Sequence, residues 1–371
     1  MRKNQNNILV FFIISILIIS SSILLIYMNK INFQSNEEPI ADSNCSIFTV
    51  KDETSVFFGN NEDEGGDRKR TDMWFVCAAD NQSYGCVYVG FAENEPGGDD
   101  VDGIEIGGMN TEGLCFDGNG IFPGEDVNYR EDLGSHYYYL TSRGIILREC
   151  ATVEEVIVWY QTHNMGGTWW GQTHWADKTG AAVVVSPAVD GSIAFTRISG
   201  DFLISTNFNV DHPGGTYYPC PRFNFLTTRL TDIITTDNVS IETCANLLEA
   251  VHVPQTFAYA GTVYSNVYDL KKQMIYLYVQ GNYDDVVTLN LSAELAKGYH
   301  SYIIENLESS TPEELYNVSN LWPIEPKLSI SSLAILLTLV AVPIFISAGY
   351  WIFVTRNIRK VDDKRGKKDG N

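Results

Sequence analysis

The sequence contains no Cys-x-x-Cys pair, so a structural zinc site has little to build on. Basic residues are scarce: 25 Lys and Arg stand against 46 Asp and Glu, a formal net charge of −21. A chain of that sign repels a phosphate backbone, which excludes nucleic acid as a partner. The most acidic stretch, ENEPGGDDVDGIE (93–105), lacks the ligand spacing of a twelve-residue calcium loop and reads as a solvated, self-repelling surface. No internal repeat is present, which removes solenoid and propeller architectures. No metal or organic cofactor is implied.

What the sequence does have is two long uncharged runs, Ile8–Met28 and Leu328–Thr355. Each exceeds the roughly 20 residues that cross a bilayer as a helix, and Pro343 inside the second is tolerated in such helices. The first is longer than a secretory apolar core and no A-x-A site follows it, so it reads as a span rather than a cleaved signal. Arg2 and Lys3 precede the first run and a Lys/Arg-rich tail follows the second; basic flanks stay cytoplasmic. The expected organisation is a cytoplasmic N-terminus (1–7), a span (8–28), a stalk or pro-segment (29–44), an outward-facing domain (45–320), a second span (328–355) and a basic cytoplasmic tail (356–371). The expected location is the cell membrane, with the domain on the extracytoplasmic side.

Seven cysteines, at 45, 77, 86, 115, 150, 220 and 244, fall in that domain. An odd number leaves at least one thiol unpaired or intermolecular. If that thiol is Cys45, the other six can form up to three bridges. Asn-x-Ser triplets at Asn81, Asn238, Asn290 and Asn317 mark expected surface loops.

Within the domain, CSIFTV and SVFFGN flank KDETS as an expected hairpin. Strand-like runs recur in MWFVCAA, CVYVGF, AAVVVSP, SIAFTRI, DFLISTNF, VYSNVYDL, MIYLYVQG and VVTLNL. Two helices are expected: one from Thr152, where Thr152 and Glu155 form a capping box, and one N-capped by Ser240. A last short helix is expected in TPEELYNVSNLWPIEPK (311–327). Strands interleaved with few helices point to an α+β fold, with helices covering a mostly antiparallel sheet.

Cys45 opens the first strand directly after a polar stalk, and three readings compete for it. A lipid anchor needs a small, apolar lead-in, whereas Asp42, Ser43 and Asn44 precede it. A disulfide half is the bland reading. The third is an N-terminal nucleophile: cutting Asn44–Cys45 gives Cys45 a free α-amine of reference pKa about 7.7–8.0, able to take its own thiol proton. Such a residue needs a carboxylate to orient the amine and amide donors for the oxyanion.

Cys45 followed by FFGNNED (57–63) resembles the cysteine-plus-F-G-R-N-x-D opening of the choloylglycine hydrolase and penicillin V acylase family of linear amide C–N hydrolases. GGMNTEGLCF (107–116), FPG (122–124), HWADKTGAAVVV (174–185), STNF (205–208), CPRF (220–223) and TVYSNVYDL (262–270) resemble further family segments in the family's order. The resemblance spans about residues 45–310. It implies an N-terminal nucleophile hydrolase fold, a four-layer αββα sandwich of antiparallel sheets, here flanked by two transmembrane helices.

It also implies roles. Cys45 would be nucleophile and base, Asp63 would bind the amine, and Asn207 would supply an N–H to the oxyanion. Arg222 would bias Cys45 toward thiolate and bridge to Asp63. Two positions depart from the family: Asn60 stands where Arg is usual, and GNGIFPG (118–124) is one residue longer than G-L-N-F-P-G. Asn119 and the backbone N–H of Gly120 are therefore both candidates for the second oxyanion donor. His174 reads as strand packing rather than half of a Cys–His pair, and Asn110 and Gly113 as turn residues.

The implied activity is hydrolysis of a small-molecule N-acyl amide by a membrane-anchored cysteine amidase. An acyltransferase on the same scaffold and a catalytically silent surface binding module are the rival readings. Homo-oligomerisation is left open.

Overall fold

Alternation in SIFTVK sends Ile47 to one side of the first strand and Phe48 and Val50 to the other, and all three are buried. A strand buried on both faces must lie inside a stack of layers. The computed structural model describes residues 45–65, 70–79, 83–92, 103–236, 238–254 and 259–309. The two uncharged runs, the stalk, the basic tail and the helix expected in 311–327 lie outside these residues. Among the described residues no helix is long and apolar enough to cross a membrane.

One sheet has the spatial order β10 (Phe202–Ser205), β1 (Ser46–Lys51), β2 (Val56–Gly65), β11 (Tyr259–Asp269), β12 (Met274–Val279), β13 (Val286–Asn290). The other runs β14 (His300–Ile303), β3 (Thr71–Val76), β4 (Cys86–Ala92), β5 (Gly103–Asn110), β6 (Cys115–Val127), β7 (Gly167–Ala176), β8 (Ala182–Pro187), β9 (Ile193–Arg197). Every ladder in both is antiparallel. The helices are α1 (Tyr139–Glu149), α2 (Val153–Thr162), α3 (Pro221–Thr235), α4 (Ile241–Val251) and the single turn α5 (Leu291–Leu295).

Three apolar clusters separate these layers. Ile47 and Phe58 of the first sheet meet Met73, Phe75, Val87 and Met109 of the second. On the far side of the first sheet, Phe48 and Phe57 pack on Leu226 and Leu230 of α3 and on Leu247 and Leu248 of α4. On the far side of the second, Trp74, Tyr88 and Phe116 pack on Ile146 and Leu147 of α1 and on Val153 and Val156 of α2. The order is helices, sheet, sheet, helices.

The hairpin forms as its sequence suggests, with Ser46 opposite Asn61 and Lys51 opposite Val56. Both expected helices are present with their capping boxes, Thr152 with Glu155 and Ser240 with Thr243. Three helices, α1, α3 and the single turn α5, went unread. In α3 the Thr227, Thr228, Thr231 and Thr235 hydroxyls each donate to the carbonyl four residues back, which lets β-branched residues sit in a helix they ordinarily disfavour.

Two expectations are corrected. None of the seven cysteines is bridged: all are free thiols, and all but Cys77 are buried. Several are engaged separately, with Cys86 donating to Tyr84 O and Leu147 O and Cys77 to Leu295 O. The acidic stretch is not solvated surface throughout, because Gly103–Glu105 begin β5, which pairs with β4, while 93–102 lie outside the described residues.

Phe58 is fully buried between the sheets, stacked on Tyr268 and edge-on to His174. Phe58→Ala is expected to cost about 3–5 kcal/mol through lost transfer energy and the cavity left behind. The measurement is the urea midpoint at unchanged m-value; a shift under about 1 kcal/mol would mean the layers are not packed through this ring.

Candidate active site

Cys45 immediately precedes β1, at the end of the strand that has neighbours on both sides, β10 and β2. The β1–β2 register carries β2 past Cys45, and successive β2 side chains leave on opposite faces. Glu62 therefore reaches the thiol, with Cys45 Sγ donating to its Oε2 at 3.5 Å. Asp63 leaves on the other face. There its Oδ1 accepts from the Thr262 hydroxyl, and Arg222 Nη1 lies 3.9 Å from its Oδ2. The β11–β2 ladder is irregular between Thr262 and Tyr264, a bulge of the kind that re-aims side chains near sites.

Arg222 sits in the first turn of α3, after the N-cap Cys220 and Pro221 at the first helical position. Its Nη1 donates to the carbonyl oxygen of Cys45 at 2.8 Å and to Ser46 Oγ at 2.6 Å. Its Nη2 donates to Asn207 Oδ1 at 3.1 Å. With its oxygen held, Asn207 turns Nδ2 toward the second sheet, where it donates to Gly120 O at 3.2 Å. One guanidinium thus joins Cys45, Asn207 and Asp63. Its contact with Cys45 is to the backbone oxygen.

A cavity of about 420 Å³ opens beside the thiol. Cys45, Glu62, Glu64, Asn119, Gly120 and Arg143 line it, with Tyr138, Leu140 and Trp170 among the apolar contributors. This is the volume of an ordinary small-molecule site. Asn119 is 2% exposed and neither atom of its amide has a hydrogen-bond partner. The extra length of GNGIFPG appears as a break in the β6–β7 register between Gly120 and Glu125. Asn60 does not line the cavity; it is fully buried and its Nδ2 donates to Asn266 Oδ1 at 3.5 Å.

Burial dominates the electrostatics. It pushes the Cys45 thiol well above its usual range, and the carboxyls of Glu62 and Asp63 push further, against the backbone N–H of Asp63. Asp63 rises to about 7, driven by burial and opposed by Thr262 and Arg222. Glu62 and Asp117 are both raised well above normal, chiefly by burial. His174 is also fully buried, bonded to Thr49 at 2.9 Å and Ser205 at 3.0 Å, and burial lowers it to about 3, so it is a neutral packing residue.

The motifs gave no role to Glu62 or Thr262, which lie within them, and did not include Asp117, Arg143 or Gln172. Gln172 donates to both Thr206 O and Phe208 O at 2.7 Å, clamping the loop that carries Asn207. The one available signal was the run Asn60–Glu64 on a strand: alternation puts Glu62 opposite Asp63 in facing. Asn110 and Gly113 are structural. Asn110 bonds four backbone groups, and Gly113, at φ 75°, closes the β5–β6 turn.

No family model and no curated protein matches this chain. Two solved variants of conjugated bile acid hydrolase from Clostridium perfringens superpose with TM-scores of 0.55 and 0.53, each at 14% identity. They cover 73% and 69% of this chain and 100% and 96% of their own. The fold is that of conjugated bile acid hydrolase. Penicillin V acylase from Agrobacterium tumefaciens, 16% identical with a TM-score of 0.48 over 63% of this chain and 82% of its own, aligns too loosely to add to this. At such identity the bile acid hydrolase fold speaks for layers and strand order, and the side-chain geometry above stands on its own.

Between about pH 4, near an ordinary aspartate's pKa, and pH 7 the folded chain keeps a proton on Asp63 that the unfolded chain has lost. That share of stability falls as pH rises across this window and is level above it. Asp63→Asn keeps an acceptor for Thr262 and removes the titration. The urea midpoint of the variant, relative to the parent, should therefore rise from about pH 4 to pH 7. A pH-independent difference would mean Asp63 is ionised throughout.

Proposed function

We propose that this protein is a cysteine amidase that hydrolyses linear, N-acyl or other non-peptide C–N amide bonds from an N-terminal Cys45. The observation that carries the reading is the Arg222 hub. One partly buried guanidinium ties together the carbonyl of Cys45, the side chain of Asn207 and the carboxyl of Asp63, and Cys45 itself lines the cavity. The shared fold with conjugated bile acid hydrolase supports the amide-hydrolase class.

In the uncut chain the Cys45 nitrogen is an amide and cannot act as a base, and burial keeps the thiol protonated. Cleavage at Asn44–Cys45 supplies an α-amine whose reference pKa of about 7.7–8.0 suits proton transfer near neutrality. The amine takes the thiol proton as sulfur attacks the carbonyl carbon, and Asp63 orients it. Asn207 Nδ2, with Asn119 or the Gly120 N–H, stabilises the oxyanion. The amine then protonates the leaving nitrogen and afterwards activates the water that releases the acyl group. The free thiol at Cys45 argues against a bridged, silent module. In this reading the first apolar run delivers the chain to the membrane and Leu328–Thr355 retains the processed enzyme, its domain facing outward.

N-terminal sequencing of active protein should begin at Cys45, and Cys45→Ala should abolish cleavage of a graded panel of fluorogenic N-acyl amides. Active material that begins upstream of Cys45 overturns the mechanism. Asn207→Ala should lower kcat by about 10²–10³-fold, the cost of one oxyanion donor, with a smaller change in KM.

A further inference from the structure

Glu62 and Asn119 line the cavity beside Cys45, and neither they nor the buried Asp117 serves as base or nucleophile in that chemistry, where Asn119 is at most an oxyanion donor. Glu62 is 4% exposed and accepts from Cys45 Sγ at 3.5 Å. Asp117, wholly buried behind it on β6, accepts from Gly118 N through Oδ1 and has no hydrogen-bond partner for Oδ2. The charges that act on Glu62 most strongly are all negative, those of Asp117, Glu64 and Asp63. Arg143, the one cationic side chain among the described lining residues, donates from Nη2 to Glu105 O, lies over the Phe116 and Tyr139 rings and partly offsets the burial of Asp117, but it is not among the leading charges acting on Glu62. Asn119 independently points to a ligand, since it is buried on this wall with both amide atoms unpartnered.

Neighbouring carboxyls taken out of water are costly unless a cation joins them. An ammonium carries three N–H donors and no acceptor, which suits Glu62, the Asn119 oxygen and the field of Asp117 behind them. We infer that the cavity takes an amide whose acyl or amine part carries a protonated amine within about two to four bonds of the scissile carbonyl, at ~1.5 Å per bond. The apolar remainder lies toward Tyr138, Leu140 and Trp170, of which Tyr138 and Trp170 are largely exposed at the rim. The inference rests on the amidase reading for the nature of the scissile bond, but binding tests it without turnover. The α-amine that processing frees belongs to Asp63 in that reading, so it does not satisfy Glu62 and Asp117.

The test is protection of Cys45 from iodoacetamide in the full processed protein, mapped by mass spectrometry. The acyl-side probes are N-methyl-β-alaninamide, its neutral isostere N-methylbutyramide and the anionic N-methylsuccinamate. The amine-side probes are N-(2-aminoethyl)acetamide and N-propylacetamide. On one side at least, the cationic probe should protect at a concentration about tenfold lower than its neutral isostere, the effect of one partly desolvated charge pair. Glu62→Gln should shrink that ratio to about threefold or less, with Asp117→Asn reading the same effect should the first variant not fold. Equal protection by neutral probes, stronger protection by the anion, or no protection by any probe overturns the inference. Hydrolysis of the same amides is followed separately. Charge-selective protection without cleavage sinks only the amidase reading; cleavage without charge selectivity sinks only this one.

Discussion

The site depends on one cation. Arg222 holds the carbonyl of Cys45, the hydroxyl of Ser46 and the amide oxygen of Asn207, and approaches the Asp63 carboxyl. These residues come from three places in the chain, and only the planar, multi-donor fork of an arginine spans them at once. Pro221 starts α3 at the position where a missing N–H is harmless, which sets where Arg222 emerges. A lysine would offer a point charge and could not hold the carbonyl and the amide oxygen in one plane.

The second constraint is dryness. Cys45, Glu62, Asp63 and Asp117 are all at most 4% exposed, so each ionisable group is pushed toward its neutral form. In an uncut chain burial therefore biases the thiol and the carboxyls beside it toward their neutral forms. Charge enters such a pocket only with something that brings its opposite, whether a liberated terminus or a bound molecule. Under the proposed mechanism, that is a physical reason for Cys45 to stay quiet until its own backbone supplies a base.

Much of this was legible in the sequence. The layered α+β architecture followed from strand runs alternating with capped helices, and the capping residues Thr152 and Ser240 mark the observed starts of α2 and α4. Cys45, Asp63, Asn207 and Arg222 were readable because each sits in a short motif, and the fold brings them together around one guanidinium. What escaped reading has no local signature. Helix α3 is threonine-rich and α1 has almost no amphipathic contrast, so both are helical because the sheets give them a face to pack on. Glu62 and Asp117 belong to different sheets, and their proximity is a product of stacking that no spacing along the chain records. Asn60, read as a site residue by its motif position, is instead spoken for by Asn266.

Strand β1 is held by ladders on both sides, from Ser46 against Asn61 to Lys51 against Val56 on one side and from Ile47 to Val50 against β10 on the other. Its ladder begins one residue after Cys45. A polypeptide severed at that point keeps every ladder pair of β1 among the described residues, so the new end would stay registered to the thread beneath it like the first stitch of a seam. Scission there alters the chemistry of a single nitrogen while the fabric around it keeps its tension.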